Sequence, residues 1–152
     1  MFNGKSHHQG KYTPLNKHKY IGDINNIRFL SSWERQVCSW ADKNLDIVKW
    51  GSEIINVPYI CPTDNKLHNY MIDFIFKYKD GSVLLVEVKP YAQTILPKTT
   101  KGKKKTTVLT EQLAFIKNKS KWISANKYAI ENNCKFVIWT EKKLKSIGVI
   151  IL

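Results

Sequence analysis

Cysteine is scarce in this chain, which has three copies among 152 residues. Cys38, Cys61 and Cys134 lie far apart, form no Cys-x-x-Cys pair and show no Cys/His spacing typical of zinc sites. This pattern argues against a disulfide framework and indicates three reduced thiols in a cytosolic protein. A positively charged leader followed by an apolar segment is also missing, so we expect no secretion.

Long apolar runs are missing as well. None approaches the roughly 18 residues of a membrane-spanning helix, and no basic amphipathic helix stands out, so we expect no membrane partner. The chain is nevertheless 43% apolar and 12% aromatic. That composition is typical of a folded protein and excludes global disorder. The length suits one domain with a core that needs no disulfides.

Acidic residues are few, with 12 Asp and Glu against 25 Lys and Arg and a formal charge of +13. This excess favours a polyanionic partner, of which nucleic acid is the first candidate. Residues 1–22 contain no acid, and their glycines and proline interrupt any periodicity. We expect this segment to be an extended basic arm, poorly ordered alone, before a single domain over residues 23–152. Phosphate contact and a solubilising tail remain alternatives for the arm.

Hydrophobic periodicity and turn signals predict alternating helices and strands. This order indicates a mixed α/β domain with a central sheet flanked by helices. The predicted helices cover residues 31–44, 109–133 (with a break near 119–120) and 140–144. The predicted strands cover residues 45–50, 53–60, 136–139 and 148–152, together with a hairpin within residues 69–90.

Three charged residues are set into the apolar strands of that hairpin. Asp73 lies seven residues before Asp80, and Glu87 lies seven residues after it. A three-residue loop centred on Asp80 would place the two carboxylates opposite each other on one face, with Lys89 projecting from the same face. Burying an unpaired charge costs several kcal/mol or more. The pattern therefore predicts a functional site.

The donors of this site suit hydrolysis of a phosphodiester. Mg²⁺ prefers a few carboxylate oxygens and keeps open positions for water and phosphate. Asp73 and Glu87 can supply those oxygens, the carbonyl of Val88 can supply a third, and Mn²⁺ is an expected substitute. Lys89 would either orient the nucleophile or counter charge in the transition state.

The connection over residues 91–108 is long for a compact domain and rich in lysine. We interpret it as a flap that binds a phosphate backbone, with a merely solvated loop as the alternative. The candidate contacts are Lys98, Lys101, Lys103, Lys104 and Lys105. Lys121, on the following helix, is a further candidate, although helix packing or plain surface exposure would also explain it.

The order of these acids resembles the signature of the PD-(D/E)xK nuclease superfamily. Here the motif is Ile72-Asp73 followed by Glu87-Val88-Lys89, and Ile72 stands where the family usually has proline. The resemblance also implies a catalytic acid on the preceding helix, which would be Glu34. Composition alone leaves Glu34 open between catalysis and helix capping, because Ser31 three residues earlier makes a capping box.

The wider pattern, over residues 20–140, is similar to the head completion nucleases of large tailed bacteriophages and to transposon-encoded endonuclease subunits. The resemblance implies a restriction-endonuclease-like sheet and Mg²⁺-dependent cleavage of double-stranded DNA. It also implies a role in head completion in the host cytoplasm, with head or portal proteins as partners. A virion structural protein that binds packaged DNA ends without cutting is the alternative. The segments that carry the resemblance are Ser32-Trp33-Glu34-Arg35, Trp50, Ser52-Glu53, Val57-Pro58-Tyr59, His68-Asn69-Tyr70, Asp73-Phe74, Lys79-Asp80-Gly81 and Glu87-Val88-Lys89-Pro90.

Overall fold

Eight strands and three α-helices follow one another along residues 9–149, the part of the chain that the computed structural model describes. The predicted mixed α/β class, with a central sheet flanked by helices, is confirmed. The elements are β1 (Gly10–Lys11), β2 (Arg28–Phe29), α1 (Ser32–Lys43), β3 (Ile47–Ser52), β4 (Asn56–Cys61), β5 (Lys66–Met71), β6 (Phe74–Tyr78), β7 (Val83–Val88), α2 (Lys105–Glu131), β8 (Lys135–Trp139) and α3 (Glu141–Ser146). None of these helices is long and apolar enough to cross a membrane.

The central sheet has four strands in the order β3-β6-β7-β8. Its first three strands are antiparallel, whereas β8 runs parallel to β7. A parallel pair needs a long crossover, and α2 lies in that connection. Because side chains alternate across a strand, Phe74 and Phe76 join the core cluster of α1, while Ile75 and Leu85 join that of α2.

The hairpin of β6 and β7 has the predicted register. Phe74 pairs with Val86 and Ile75 with Leu85, and the N–H of Tyr78 donates to the carbonyl of Ser82 at 2.9 Å. The loop thus consists of the three residues 79–81, as the sequence predicts. Gly81 has a φ of 89°, which a glycine adopts without steric cost.

The strand before that hairpin is a correction to the predicted organisation. Residues 69–71 belong to β5, which pairs with β4 in a separate two-stranded sheet. The buried residues of β4 alternate along the strand, and both strands contribute to the α2-side core. Tyr70, Met71 and Ile72 precede Asp73, and apolar residues follow it, so the sequence does not reveal the change of sheet. Periodicity does not show which partner a strand has.

Helix α2 also differs from the prediction. It begins at Lys105 rather than at residue 109 and continues through Lys119 and Ser120 without a break. The segment contains no proline or glycine, so nothing in it strongly opposes the helix. At 27 residues it is about 40 Å long. Its buried residues, Trp122, Ala125 and Ala129, lie in the second half.

The last part of the chain also differs from the prediction. The apolar run of β8 predicts a wholly buried strand, yet residues 136–138 are only half-buried. The reason is that β8 lies at the edge of the sheet. The predicted final strand over residues 148–152 falls largely outside the described residues.

Residues 9–22 correct the expectation of an extended basic arm, whose first eight residues lie outside the described part. Lys19 is only 8% exposed. Its ammonium group donates to the carbonyls of Ala41, Asp42 and Asn44 at 2.7–2.9 Å. The buried carboxylate of Asp42 in turn accepts from the N–H groups of Leu15 and Asn16 at 2.7 and 3.1 Å. This part of the arm therefore caps the end of α1.

The Lys19→Met variant should lose about 2 to 3 kcal/mol of unfolding free energy, because three carbonyls at the end of α1 would lose a charged donor. Chemical denaturation monitored by circular dichroism would measure the loss. Lys17→Met is the matched control, since Lys17 is exposed and its replacement should change stability by less than about 0.5 kcal/mol. Equal stability of the two variants would contradict the capping role.

Candidate active site

Asp73 lies directly before β6 and opposite Glu87 on β7. The register that pairs Phe74 with Val86, continued by one residue, brings these two positions together. The Oδ2 atom of Asp73 accepts a hydrogen bond from the N–H of Val88 at 2.8 Å. Its backbone carbonyl accepts one from the N–H of Glu53 at 3.0 Å. The N–H groups of Val88 and Glu53 thus hold the side chain and the backbone of Asp73 in place.

Glu87 is a buried acid between two donors. Its side chain is 8% exposed, and the ammonium group of Lys89 lies 3.3 Å from Oε1. The hydroxyl of Tyr70 donates to Oε2 at 2.7 Å. Lys89 lies one residue beyond β7 and follows Glu87 by two residues, so both side chains project from the same face. The sequence predicts this shared face, and the contact confirms it.

The sequence favours a partly buried structural role for Tyr70 beside His68, with phosphate contact as the alternative, and does not predict its contact with Glu87. It comes from β5, and only the docking of the β4–β5 sheet brings it to β7. Burial, the charge of Glu87 and the hydrogen bond to Glu87 raise the pKa of Tyr70 far above its usual range. The phenol therefore stays protonated and orients the carboxylate of Glu87 as a donor.

Lys121, on α2, lies beside the same group of residues. Its ammonium nitrogen is 5.4 Å from the centre of the Tyr70 ring. Burial lowers the pKa of Lys121, while the negative charges of Glu87 and Asp73 oppose that shift. The structure thus places this lysine over Tyr70, the residue that donates to Glu87.

Glu34 is buried in the first turn of α1. Its N–H donates to the hydroxyl of Ser31 at 3.2 Å, so Ser31 caps the helix as predicted. The carboxylate of Glu34 accepts from the N–H of Leu30 at 3.0 Å, which is one residue beyond the usual capping-box partner. Helix capping therefore explains these two hydrogen bonds of Glu34.

Glu53 contacts Asp73 through its backbone, and the sequence assigns it no role. Burial and, after it, the charge of Glu34 raise the pKa of Glu53, while Arg28 opposes them. Glu53 also holds the carbonyl of Asp73 through its N–H. Its φ of 53° is uncommon outside glycine, asparagine and aspartate. The periodicity of the sequence predicts that Glu53 begins a strand. Only its backbone conformation in the structure marks this residue as unusual.

The model of the TnsA-like endonuclease N-terminal family matches residues 44–141. This chain belongs to that family. The matched segment contains Asp73, Glu87, Lys89 and Lys121, and Glu34 precedes it. The chain is also 35% identical over 146 residues to the head completion nuclease of Enterobacteria phage T4, covering 93% of this chain and 96% of that protein. No solved structure matches the chain significantly.

The donors in this TnsA-like chain fit a hard divalent ion. Two carboxylates face each other, and hard oxygen ligands are those that Mg²⁺ takes. In a strand the N–H and C=O of one residue point to the same side. The N–H of Val88 donates to Asp73, so the carbonyl of Val88 also points toward Asp73. This is the direction that a third oxygen ligand needs.

The flap lysines of this family member are not equivalent. The ammonium group of Lys103 donates to the carbonyl of Lys98 at 2.9 Å and to the carboxylate of Glu111 at 2.8 Å. This pairing reduces the charge that Lys103 can offer to a phosphate. The lysines at positions 98, 101, 104 and 105 are exposed, and Lys105 belongs to α2 rather than to a loop.

Proposed function

We propose that this chain is a metal-dependent DNA endonuclease that acts in bacteriophage head completion after DNA packaging. The observation that carries the proposal is the placement of Asp73 and Glu87 opposite each other, with Lys89 in contact with Glu87. Membership of the TnsA-like endonuclease family supports the reaction. Similarity to the head completion nuclease of phage T4 supports the setting.

Each residue of the site has a proposed role. Asp73, Glu87 and the carbonyl of Val88 hold Mg²⁺, for which Mn²⁺ substitutes. When bound, the ion neutralises charge on the scissile phosphate and favours ionisation of the attacking water. Lys89 keeps a positive charge beside the reacting phosphate. Glu34 assists from the neighbouring helix.

The proposed substrate is double-stranded DNA, cleaved with little sequence specificity. The formal charge of +13 supports a polyanionic substrate. Exposed lysines of the flap would contact the phosphate backbone, and Lys121 would extend this contact to the carboxylates. Phosphate contacts position DNA without reading its sequence. The proposed place of action is the host cytoplasm during phage assembly, with head or portal proteins as partners.

The proposal is tested by incubating supercoiled plasmid with purified protein and Mg²⁺, Mn²⁺ or EDTA, beside the Asp73→Ala and Glu87→Ala variants. Nicking should require the ion and both acids. If the unaltered protein binds but never nicks DNA, the chain is a DNA-binding virion protein instead. If the variants nick equally well, the site lies elsewhere.

The Tyr70→Phe variant should lose about 10- to 100-fold in nicking rate, because groups that orient a metal ligand contribute about this much. The ring keeps its place in the core, so the fold should remain. Plasmid nicking at saturating Mg²⁺ measures the effect. Tyr78→Phe is a matched control in the neighbouring strand, and an equal loss in both variants would contradict the orienting role.

Neutralising the lysines of the flap should weaken DNA binding and reduce its dependence on salt. Each lost phosphate contact lowers the slope of log K against log salt by about 0.9. Replacing Lys101, Lys103, Lys104 and Lys105 with Gln should therefore lower the slope by about 3 to 4, or less where Lys103 stays paired with Glu111. Fluorescence anisotropy with a duplex between 50 and 200 mM salt measures it.

The control for this variant carries the same change in charge elsewhere. Lys127, Lys135, Lys142 and Lys145 are exposed and lie outside the flap, so replacing them with Gln should leave the salt slope nearly unchanged. An unchanged slope in the flap variant would show that the flap is only a solvated loop.

A further inference from the structure

A second group of metal-ligating side chains lies at the turn between β4 and β5. Cys61 ends β4, Asp64 lies in the turn, and His68 lies in β5. One ligand atom of each lies within 4.8 Å of the other two. The spacing Cys-x₂-Asp-x₃-His is not a known zinc motif, so sequence spacing alone did not reveal it.

The hairpin brings these side chains together by ordinary strand pairing. Cys61 pairs with Lys66, and Tyr59 pairs with His68. Because alternate residues share a face, Cys61 and His68 project from the same side. Asn65 turns the chain with a φ of 56°, and its N–H donates to the carbonyl of Cys61 at 2.8 Å. The backbone therefore fixes the relative positions of all three ligands.

The chemistry of this group differs from that of the carboxylate site. A thiolate, an imidazole and a carboxylate suit Zn²⁺ and similar borderline ions, whereas Mg²⁺ takes oxygen ligands. Metal ligands must be deprotonated. The hydrogen bond with Thr63 lowers the pKa of the Cys61 thiol. The N–H of Lys66, and after it His68, lower the pKa of Asp64.

The distances need little change to accommodate an ion. His68 Nε2 and Asp64 Oδ2 are 2.7 Å apart, while two ligands of one tetrahedral zinc lie about 3.3 to 3.6 Å apart. Asp64 is exposed, so its side chain can rotate until its oxygen lies at the longer distance from His68. Cys61 is buried at 1% exposure, whereas the side chains of His68 and Asp64 are 33% and 39% exposed. Solvent therefore reaches one side of the group.

We propose that Cys61, Asp64 and His68 form a second metal site, which takes Zn²⁺ or a similar borderline divalent ion. Three protein ligands leave the fourth tetrahedral position to water, as in open zinc sites. The ion would join the end of β4 to β5. Since β5 also carries Tyr70, two residues beyond His68 and about 7 Å away along the strand, the site supports the strand that orients Glu87.

The test uses Co²⁺, which replaces zinc and absorbs in the near ultraviolet when bound to a thiolate. Metal-free full-length protein would be titrated with Co²⁺ and then with Zn²⁺. We expect a charge-transfer band that saturates at one equivalent and disappears when Zn²⁺ displaces the cobalt. Zinc should also raise the melting temperature of the unaltered protein, because an ion that binds the folded state stabilises it.

Variants assign the band to these residues. Cys61→Ser should abolish it, and His68→Ala and Asp64→Asn, which alter the partly exposed side of the group, should weaken cobalt binding at least 10-fold. Cys134→Ser is the matched control and should retain the band, as should Glu87→Gln. Absence of the band in the unaltered protein, its persistence in Cys61→Ser, or unchanged cobalt affinity in His68→Ala would overturn the proposal.

Discussion

Replacing Asp73 with Asn or Glu87 with Gln is expected to lower the rate of plasmid nicking by more than about 100-fold. Loss of a group that only supports a ligand costs 10- to 100-fold, so loss of a ligand charge should cost more. The amide oxygens can still accept from the N–H of Val88 and from the hydroxyl of Tyr70. These replacements therefore remove charge while keeping the shape of the side chains and these two hydrogen bonds.

Two measurements distinguish this loss from unfolding. The circular dichroism spectrum and melting temperature should stay near those of the unaltered protein, whereas Mn²⁺ binding followed by calorimetry should weaken. Asp80→Asn is the control, because Asp80 is exposed in the loop of the same hairpin and should leave nicking unchanged. Full activity in either variant at limiting Mg²⁺ would exclude that acid as a ligand.

Lys89→Met should lower the nicking rate by about 100- to 1,000-fold, the range measured for removing one group that stabilises transition-state charge. The ammonium group lies 3.3 Å from Glu87, at the face where the phosphate would bind. Lys77→Met is the control, since Lys77 is an exposed lysine of β6 and should have little effect. DNA affinity measured without metal should change little in either variant.

Lys89→Arg separates the two roles that sequence leaves open for this lysine. Arginine keeps the positive charge but does not give up its proton in proteins. If Lys89 stabilises charge, the Arg variant should retain much more activity than Lys89→Met. If Lys89 removes a proton from water, both variants should fall to the same level. A rate equal to that of the unaltered protein in Lys89→Met would exclude both roles.

The hairpin of β6 and β7 shows why part of the candidate site could be predicted from sequence. Its register depends on an Asp-Gly turn and on the alternation of side chains between the two faces of each strand, both of which are local. The positions of Asp73 and Glu87 relative to each other therefore follow from counting residues, and the pairing of the adjacent residues Phe74 and Val86 agrees with them. The catalytic roles of these residues stay predictions until the variants are measured.

Two other features of the fold could not be predicted from the sequence. Lys19 resembles the other lysines of a basic segment, yet it caps α1 because the chain folds back on residues 41–44. Residues 69–71 resemble the start of the central hairpin, yet they pair with β4. In both cases the partner lies more than ten residues away, where local patterns carry no information.

The sequence by itself determined the mixed α/β class, the cap of α1, the central hairpin and the shared face of Glu87 and Lys89. The class follows from the order of the predicted elements, and each of the other features follows from residue spacing within one element or one turn. Only the tertiary structure decided which side chains surround Asp73, Glu87 and Cys61. Tyr70 of β5 donates to Glu87, Glu53 between β3 and β4 donates to Asp73, and Lys121 of α2 lies over the Tyr70 ring. Cys61 meets His68 through the pairing of β4 with β5, and packing between separate elements cannot be counted along a chain.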